Sequence, residues 1–108
     1  MPDRPPPGAP PAAIRVVLAD DSVLFREGLA RVLAERGFLI VGQAGDAETL
    51  HVVVGQADPD VVVTDIRMPP TNTNDGLLAA QRIRDERPGT GVLVLSQYVE
   101  TRQAIKLL

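Results

Sequence analysis

Apolar residues follow two alternating patterns along this chain. Residues 14–19, 38–43, 61–65 and 91–96 form short, nearly continuous apolar runs. Runs of this length predict strands covered on both faces. Between them the apolar positions take helical spacing. Phe25, Leu29, Val32 and Leu33 make one stripe, and Leu50, Val53, Val54 and Ala57 a second. Leu77, Ala80 and Ile83 make a third, on a helix expected over about 76–87. Residues 99–108 read as the start of a fourth helix. The punctuation agrees. Ser22 can cap the first helix, Gly37 can stop it, and Asp58-Pro59 ends the second. Asn74 or Asp75 can cap the third, and Pro88-Gly89 ends it. Residues 66–75 are a loop, marked by Pro69, Pro70 and Thr71-Asn72-Thr73-Asn74.

The order βαβαβαβα, with short connections and right-handed crossovers, predicts an α/β fold built on a doubly wound parallel sheet. Ligand sites in such sheets lie beyond the strand C-termini. The first strand runs into Asp20 and Asp21, the third ends in Asp65 and the fourth in Ser96. Three carboxylates and a hydroxyl should therefore meet at one sheet edge. At about 4 Å and an effective dielectric of ~20, each like-charge pair costs about 4 kcal/mol before solvent reduces it. A domain has only ~5–15 kcal/mol of net stability. Either some acids hold protons or a cation sits among them. No His or Cys accompanies them, and an all-oxygen site prefers a hard ion, Mg2+ or Mn2+. Any one of these aspartates alone reads as a turn residue or helix cap. Their coincidence at consecutive strand ends favours a site.

Composition narrows the class. The chain has 108 residues, one domain's length, and a formal charge of −3. Phe25, Phe38 and Tyr98 are the only aromatics, so the core must be aliphatic. There is no cysteine, hence no disulfide frame or thiolate metal site. No apolar run is long enough for a membrane span, and no signal-peptide pattern opens the chain, so a cytoplasmic location is expected. The mild acidity argues against this segment gripping nucleic acid unaided. Residues 1–13 carry Pro2, Pro5, Pro6, Pro7, Pro10 and Pro11 and are expected to be a disordered leader, with the domain itself at 14–108.

Three motifs carry a resemblance. Val17-Leu18-Ala19-Asp20-Asp21-Ser22, Thr64-Asp65-Ile66-Arg67-Met68-Pro69 and Val94-Leu95-Ser96 resemble the signature of bacterial two-component response regulator receiver domains, in order and spacing. The stretch Leu95-Ser96-Gln97-Tyr98-Val99-Glu100 is similar to the subfamily whose receiver precedes a LuxR-type helix-turn-helix. The resemblance implies a flavodoxin-like receiver fold with strand order 2-1-3-4-5. It implies that Asp65 accepts a phosphoryl group from a sensor histidine kinase, with Mg2+ as cofactor. Asp21 and Asp65 would be direct metal ligands, Asp20 would act mainly through metal-bound water, and Arg67 would lend its backbone carbonyl. Ser96 would bind the phosphoryl group and move with it, switching a downstream output. That output would be transcription control through a C-terminal DNA-binding domain, and a homodimer is left open. The protein would then be no enzyme in its own right, beyond assisting its own phosphoryl transfer and slow hydrolysis.

Against that pattern the sequence stops inside the fourth helix. The fifth strand with its lysine, the switch aromatic and the fifth helix are expected beyond Leu108, and weak phosphate retention follows for the chain as it stands. Strand four would then be an exposed edge. The competing reading is a phosphorylation-independent interaction module. An aspartyl-nucleophile hydrolase fits poorly, because Arg67 stands where a second acid is usual. No Gly-rich phosphate loop or dinucleotide fingerprint occurs. His51, the sole histidine, reads as a flanking side chain of helix two, and Tyr98 as a packing residue of helix four.

Overall fold

The computed structural model describes residues 12–95. Four strands and three helices alternate: β1 (Arg15–Ala19), α1 (Val23–Glu35), β2 (Leu39–Ala44), α2 (Ala47–Ala57), β3 (Val61–Asp65), α3 (Asp75–Glu86) and β4 (Gly91–Leu95). The strands form one parallel sheet in the order β2-β1-β3-β4. The order reverses about β1, which places the crevice between the ends of β1 and β3. The leader through residue 11, together with Ser96, Tyr98 and the expected fourth helix, lies outside the described residues.

Strand side chains alternate between the two faces of the sheet, and both faces are covered. Val17, Ala19 and Val62 face α2 and α3, packing with Leu50, Val54, Met68, Ala79 and Ile83. Val16 and Leu18 face α1, packing with Ala30 and the partly buried Leu29, Leu33, Phe38 and Ile40. This double burial is why the strands read as continuous apolar runs. The bulge between Val16 and Val17 shifts the β1–β2 register, so that Val17 faces Gly42. A Cβ on Gly42 would collide with Val53 Cγ1, so this glycine lets α2 lie close on β2.

The helix boundaries follow local chemistry. Ser22 Oγ accepts the Phe25 N–H at 3.2 Å and caps α1, while Gly37 leaves it with φ +94°. Asp46 caps α2, accepting the Thr49 N–H at 2.7 Å. The third helix starts at Asp75, and Asn74, though in the capping position, makes no side-chain cap bond. Two stripes rotate from their expected phase. In α1 the buried residue is Ala30, while Val32 is exposed, and in α3 Ala79 joins Ala80 and Ile83 in the core while Leu77 is only half-buried. Small residues fit where each helix lies closest to the sheet, and apolar periodicity gives them little weight.

The Asp46 cap supports a first prediction. Asp46→Ala should cost about 1 kcal/mol, read as a lower Tm at neutral pH. The Thr49 backbone N–H and hydroxyl hold the Asp46 carboxyl below its ordinary 3.8. Its contribution is therefore present above that value and is lost as pH falls through the depressed one. The gap between Asp46→Ala and the parent chain should close in acid, and a gap that stays constant with pH would contradict the cap.

Candidate functional site

The sheet aligns its strand ends. Ala19 pairs with Ala44 on one side and Thr64 on the other, and Asp65 pairs with Leu95. The chain leaving β1 therefore delivers Asp20 and Asp21 beside Asp65. Each of the three offers a carboxylate oxygen, and these oxygens lie within 4.8 Å of one another. The expected acid cluster thus forms, whereas Ser96 lies just past the last described residue.

The three acids differ in setting. Asp20 is buried, at 5% exposure, and tightly held. Its N–H donates to Ala44 O at 3.0 Å, and its Oδ1 accepts the Ser22 N–H at 2.8 Å. Asp21 is exposed and Asp65 half-buried. Burial pushes the Asp65 carboxyl above its ordinary 3.8, and the charges of Asp20 and Asp21 push it further. The backbone N–H groups of Ile66 and Arg67 donate to it and oppose the shift without cancelling it. A carboxylate that is both desolvated and crowded by like charge favours a cation nearby.

The donor set suits a small hard ion. Ligand oxygens around an octahedral Mg2+ stand about 3 Å (adjacent) to about 4.2 Å (opposite) apart, so carboxylates within 4.8 Å of one another would draw inward to share one ion. Arg67 sits in the loop two residues past Asp65 with its side chain exposed, and its backbone N–H favours the charged form of the Asp65 carboxyl.

The loop after β3 is tied down rather than slack. Ile66 N–H donates to Leu95 O at 3.1 Å, and Gly76 N–H to Ile66 O at 2.8 Å. Met68 is fully buried, against the Thr64 hydroxyl. Thr71 bonds the Asp75 carboxylate through its hydroxyl and its N–H, and Ala47 N–H reaches Pro69 O at 3.3 Å. The segment expected as a loop is pinned to α2 and to the start of α3.

Gly76, Arg26 and Gly45 carry structural duties here that have little signature in residue spacing. A Cβ on Gly76 would overlap the Asp65 carbonyl, so only glycine lets α3 begin this close to the site. A glycine directly after the acid that opens α3 gives some hint of this, but Arg26 has the look of any charged residue on an exposed helix. His51 lines a groove between α2 and α3 with Ala47, Asp75, Leu78, Ala79 and Arg82, a group that includes none of the three clustered aspartates. Burial lowers its pKa first, the Arg82 charge adds to that, and Glu86 opposes it. No described helix is long and apolar enough to cross a membrane.

Comparison with known proteins agrees with this geometry. Residues 16–108 match the family described as Response regulator receiver domain. The transcriptional regulatory protein YxjL of Bacillus subtilis is 36% identical over 86 residues, covering 79% of this chain and 38% of that protein. A protein-glutamate methylesterase/protein-glutamine glutaminase of Anaeromyxobacter dehalogenans is 45% identical over 84 residues, covering 77% of this chain and 24% of that protein. The signal receiver domain of NarL from Mycobacterium tuberculosis superposes with a TM-score of 0.70 at 34% identity, covering 89% of this chain and 78% of that domain. The chain spans well under half the length of these two sequence relatives.

Proposed function

Because the chain belongs to the response regulator receiver domain family, we propose that Asp65 is the phosphoryl acceptor of a two-component switch, working with Mg2+ held by Asp20, Asp21 and Asp65. The observation that carries this reading is the convergence of the Asp20, Asp21 and Asp65 carboxylates, the last half-buried with its affinity for a proton raised. Asp21 and Asp65 act as direct ligands, Asp20 supports the ion through water, and the Arg67 carbonyl completes the protein's share. The ion supplies charge neutralisation between these carboxylates and an incoming phosphoryl group.

The chain's own residues do the rest. An Asp65 carboxylate oxygen attacks the phosphorus of a phosphohistidine on a sensor histidine kinase. The P–N bond breaks, its electron pair stays on the histidine nitrogen, and an acyl phosphate forms on Asp65. Such transfer depends mainly on positioning and charge, and the nearby Ile66 and Arg67 N–H groups favour the charged form of the attacking carboxylate. The Ser96 hydroxyl then bonds the phosphoryl oxygens. A near-complete switch of state needs about 5.5 kcal/mol of differential interaction, which a charged group with several new bonds supplies.

The output belongs to the rest of the protein. One relative is named a transcriptional regulator and another a methylesterase, so the receiver is compatible with different effectors. The resemblance of residues 95–100 to the LuxR-type subfamily favours DNA-binding transcription control in a cytoplasmic setting, with a homodimer left open. On this reading the receiver itself is not an enzyme beyond promoting its own phosphorylation and slow hydrolysis. The alternative, an interaction module indifferent to phosphate, keeps the acids without using them.

Incubation with acetyl phosphate and Mg2+, followed by intact mass measurement, separates the two. A hydroxylamine-labile phosphoryl group is expected on the chain, sub-stoichiometric and short-lived because retention is weak, and absent with chelator. Mg2+ alone should raise Tm, because an ion at ten times its Kd stabilises by about 1.4 kcal/mol. A folded chain that neither gains mass nor responds to Mg2+ would support the interaction module instead.

A further inference from the structure

Arg26, on the second turn of α1, makes none of the contacts expected of an exposed helical charge. Its side chain is half-buried and turns inward to the ends of two strands. Nη1 donates to Asp20 O at 2.7 Å and to Ala44 O at 3.5 Å, and Nε donates to Gln43 Oε1 at 3.0 Å. All three acceptors are uncharged oxygens rather than carboxylates. The fork fits closely, because a Cβ on Gly45 would stand 3.3 Å from Nη1.

The geometry points to Arg26 as a positioning residue for the metal site, an inference that rests on the reading of that site given above. The Asp20 carbonyl and the Asp21 N–H belong to one planar peptide unit. Holding that carbonyl with a short charge-assisted bond fixes the plane, and with it the direction in which Asp21 leaves the backbone. Asp20 has further restraints of its own, from Ala44 O on its N–H and Ser22 N–H on its carboxylate. The Asp21 carboxylate is exposed and takes no side-chain hydrogen bond among the described residues, so its aim depends on the backbone that Arg26 holds. The guanidinium also ties the β2 end to the β1 end, keeping the floor under both acids level.

Calorimetric Mg2+ titration of the full chain tests this without reference to phosphorylation. Partners one shell out from a metal typically change its affinity by 10–100-fold when removed. Arg26→Ala should weaken Mg2+ binding by about tenfold, with Arg26→Lys intermediate because an ammonium cannot span the same acceptors. Val54→Ala, which loosens the core away from the acids, should leave the Kd within about twofold while lowering Tm. Should Arg26→Ala fail to fold, Gln43→Ala and Gly45→Ala disturb the same fork more gently and should weaken binding in the same sense. Normal Mg2+ affinity in the folded Arg26 variant, or in both substitutes, overturns the positioning role. Absence of Mg2+ binding in the unsubstituted chain would instead overturn the metal site itself.

Discussion

Asp65→Asn should abolish phosphorylation by acetyl phosphate and leave the fold intact. The amide keeps the volume and an oxygen that can accept the Ile66 and Arg67 N–H bonds, but it cannot form an acyl phosphate. The same substitution should raise the Tm of the metal-free protein at neutral pH, because it removes a carboxylate that is desolvated and faces Asp20 and Asp21. The direction with pH follows. The folded chain holds a proton on Asp65 at pH values where the unfolded chain has released it. Stability contributed by Asp65 is therefore full below its ordinary 3.8 and is lost as pH rises through the elevated value. Asp46, Asp75 and Glu86 shift downward and act in the opposite sense, so the whole-chain profile mixes both. The difference between the parent chain and Asp65→Asn isolates the site. That difference should widen from acid to neutral pH without metal and shrink when Mg2+ is added. An Asp65→Asn chain less stable than its parent at neutral pH, in the presence of chelator, would contradict the crowded-carboxylate account.

Gly76→Ala is the second large effect. The new Cβ would overlap the Asp65 carbonyl oxygen and crowd the Ile66 carbonyl, and both are backbone atoms that no rotamer change can clear. Overpacking typically costs about 1–3 kcal/mol and occasionally more; a backbone collision belongs at the upper end. Either α3 lifts away or the β3 end shifts, and each disturbs the acid cluster. A loss of about 3 kcal/mol in denaturant unfolding, together with weakened Mg2+ binding, is expected. Gly55→Ala provides the contrast. That residue lies in α2 with nothing near its would-be Cβ. The same change there should stabilise by about 0.5–1 kcal/mol, since Gly is the poorer helix former. Equal effects at the two positions would show that helix propensity, and not the approach to Asp65, governs Gly76.

The two glycines also show what was legible in the sequence. Strand positions were readable because a doubly covered parallel strand leaves a continuous apolar run, and β3 appears at its expected bounds, Val61–Asp65. The acids were readable because strand ends in this topology share an edge, so Asp20, Asp21 and Asp65 could be brought together without coordinates. Helix phases were less legible. Close packing selects Ala30 and Ala79 where periodicity favours larger residues such as Val32 and Leu77. The Arg26 fork depends on an inward rotamer and two backbone carbonyls, neither of which has a signature in residue spacing. The ties of the loop to α2 and α3 run through Ala47, Pro69 and Gly76 backbone atoms and are equally silent in the sequence.

The central claim is that Asp65, among all the nucleophilic side chains of this protein, receives the phosphoryl group. Treating the chain with acetyl phosphate and Mg2+, reducing the acyl phosphate with borohydride and mapping the peptides reads the acceptor directly. Homoserine is expected at position 65, with Asp20, Asp21 and His51 unmodified. Modification at another residue, or none at all in a folded chain with bound Mg2+, would contradict it.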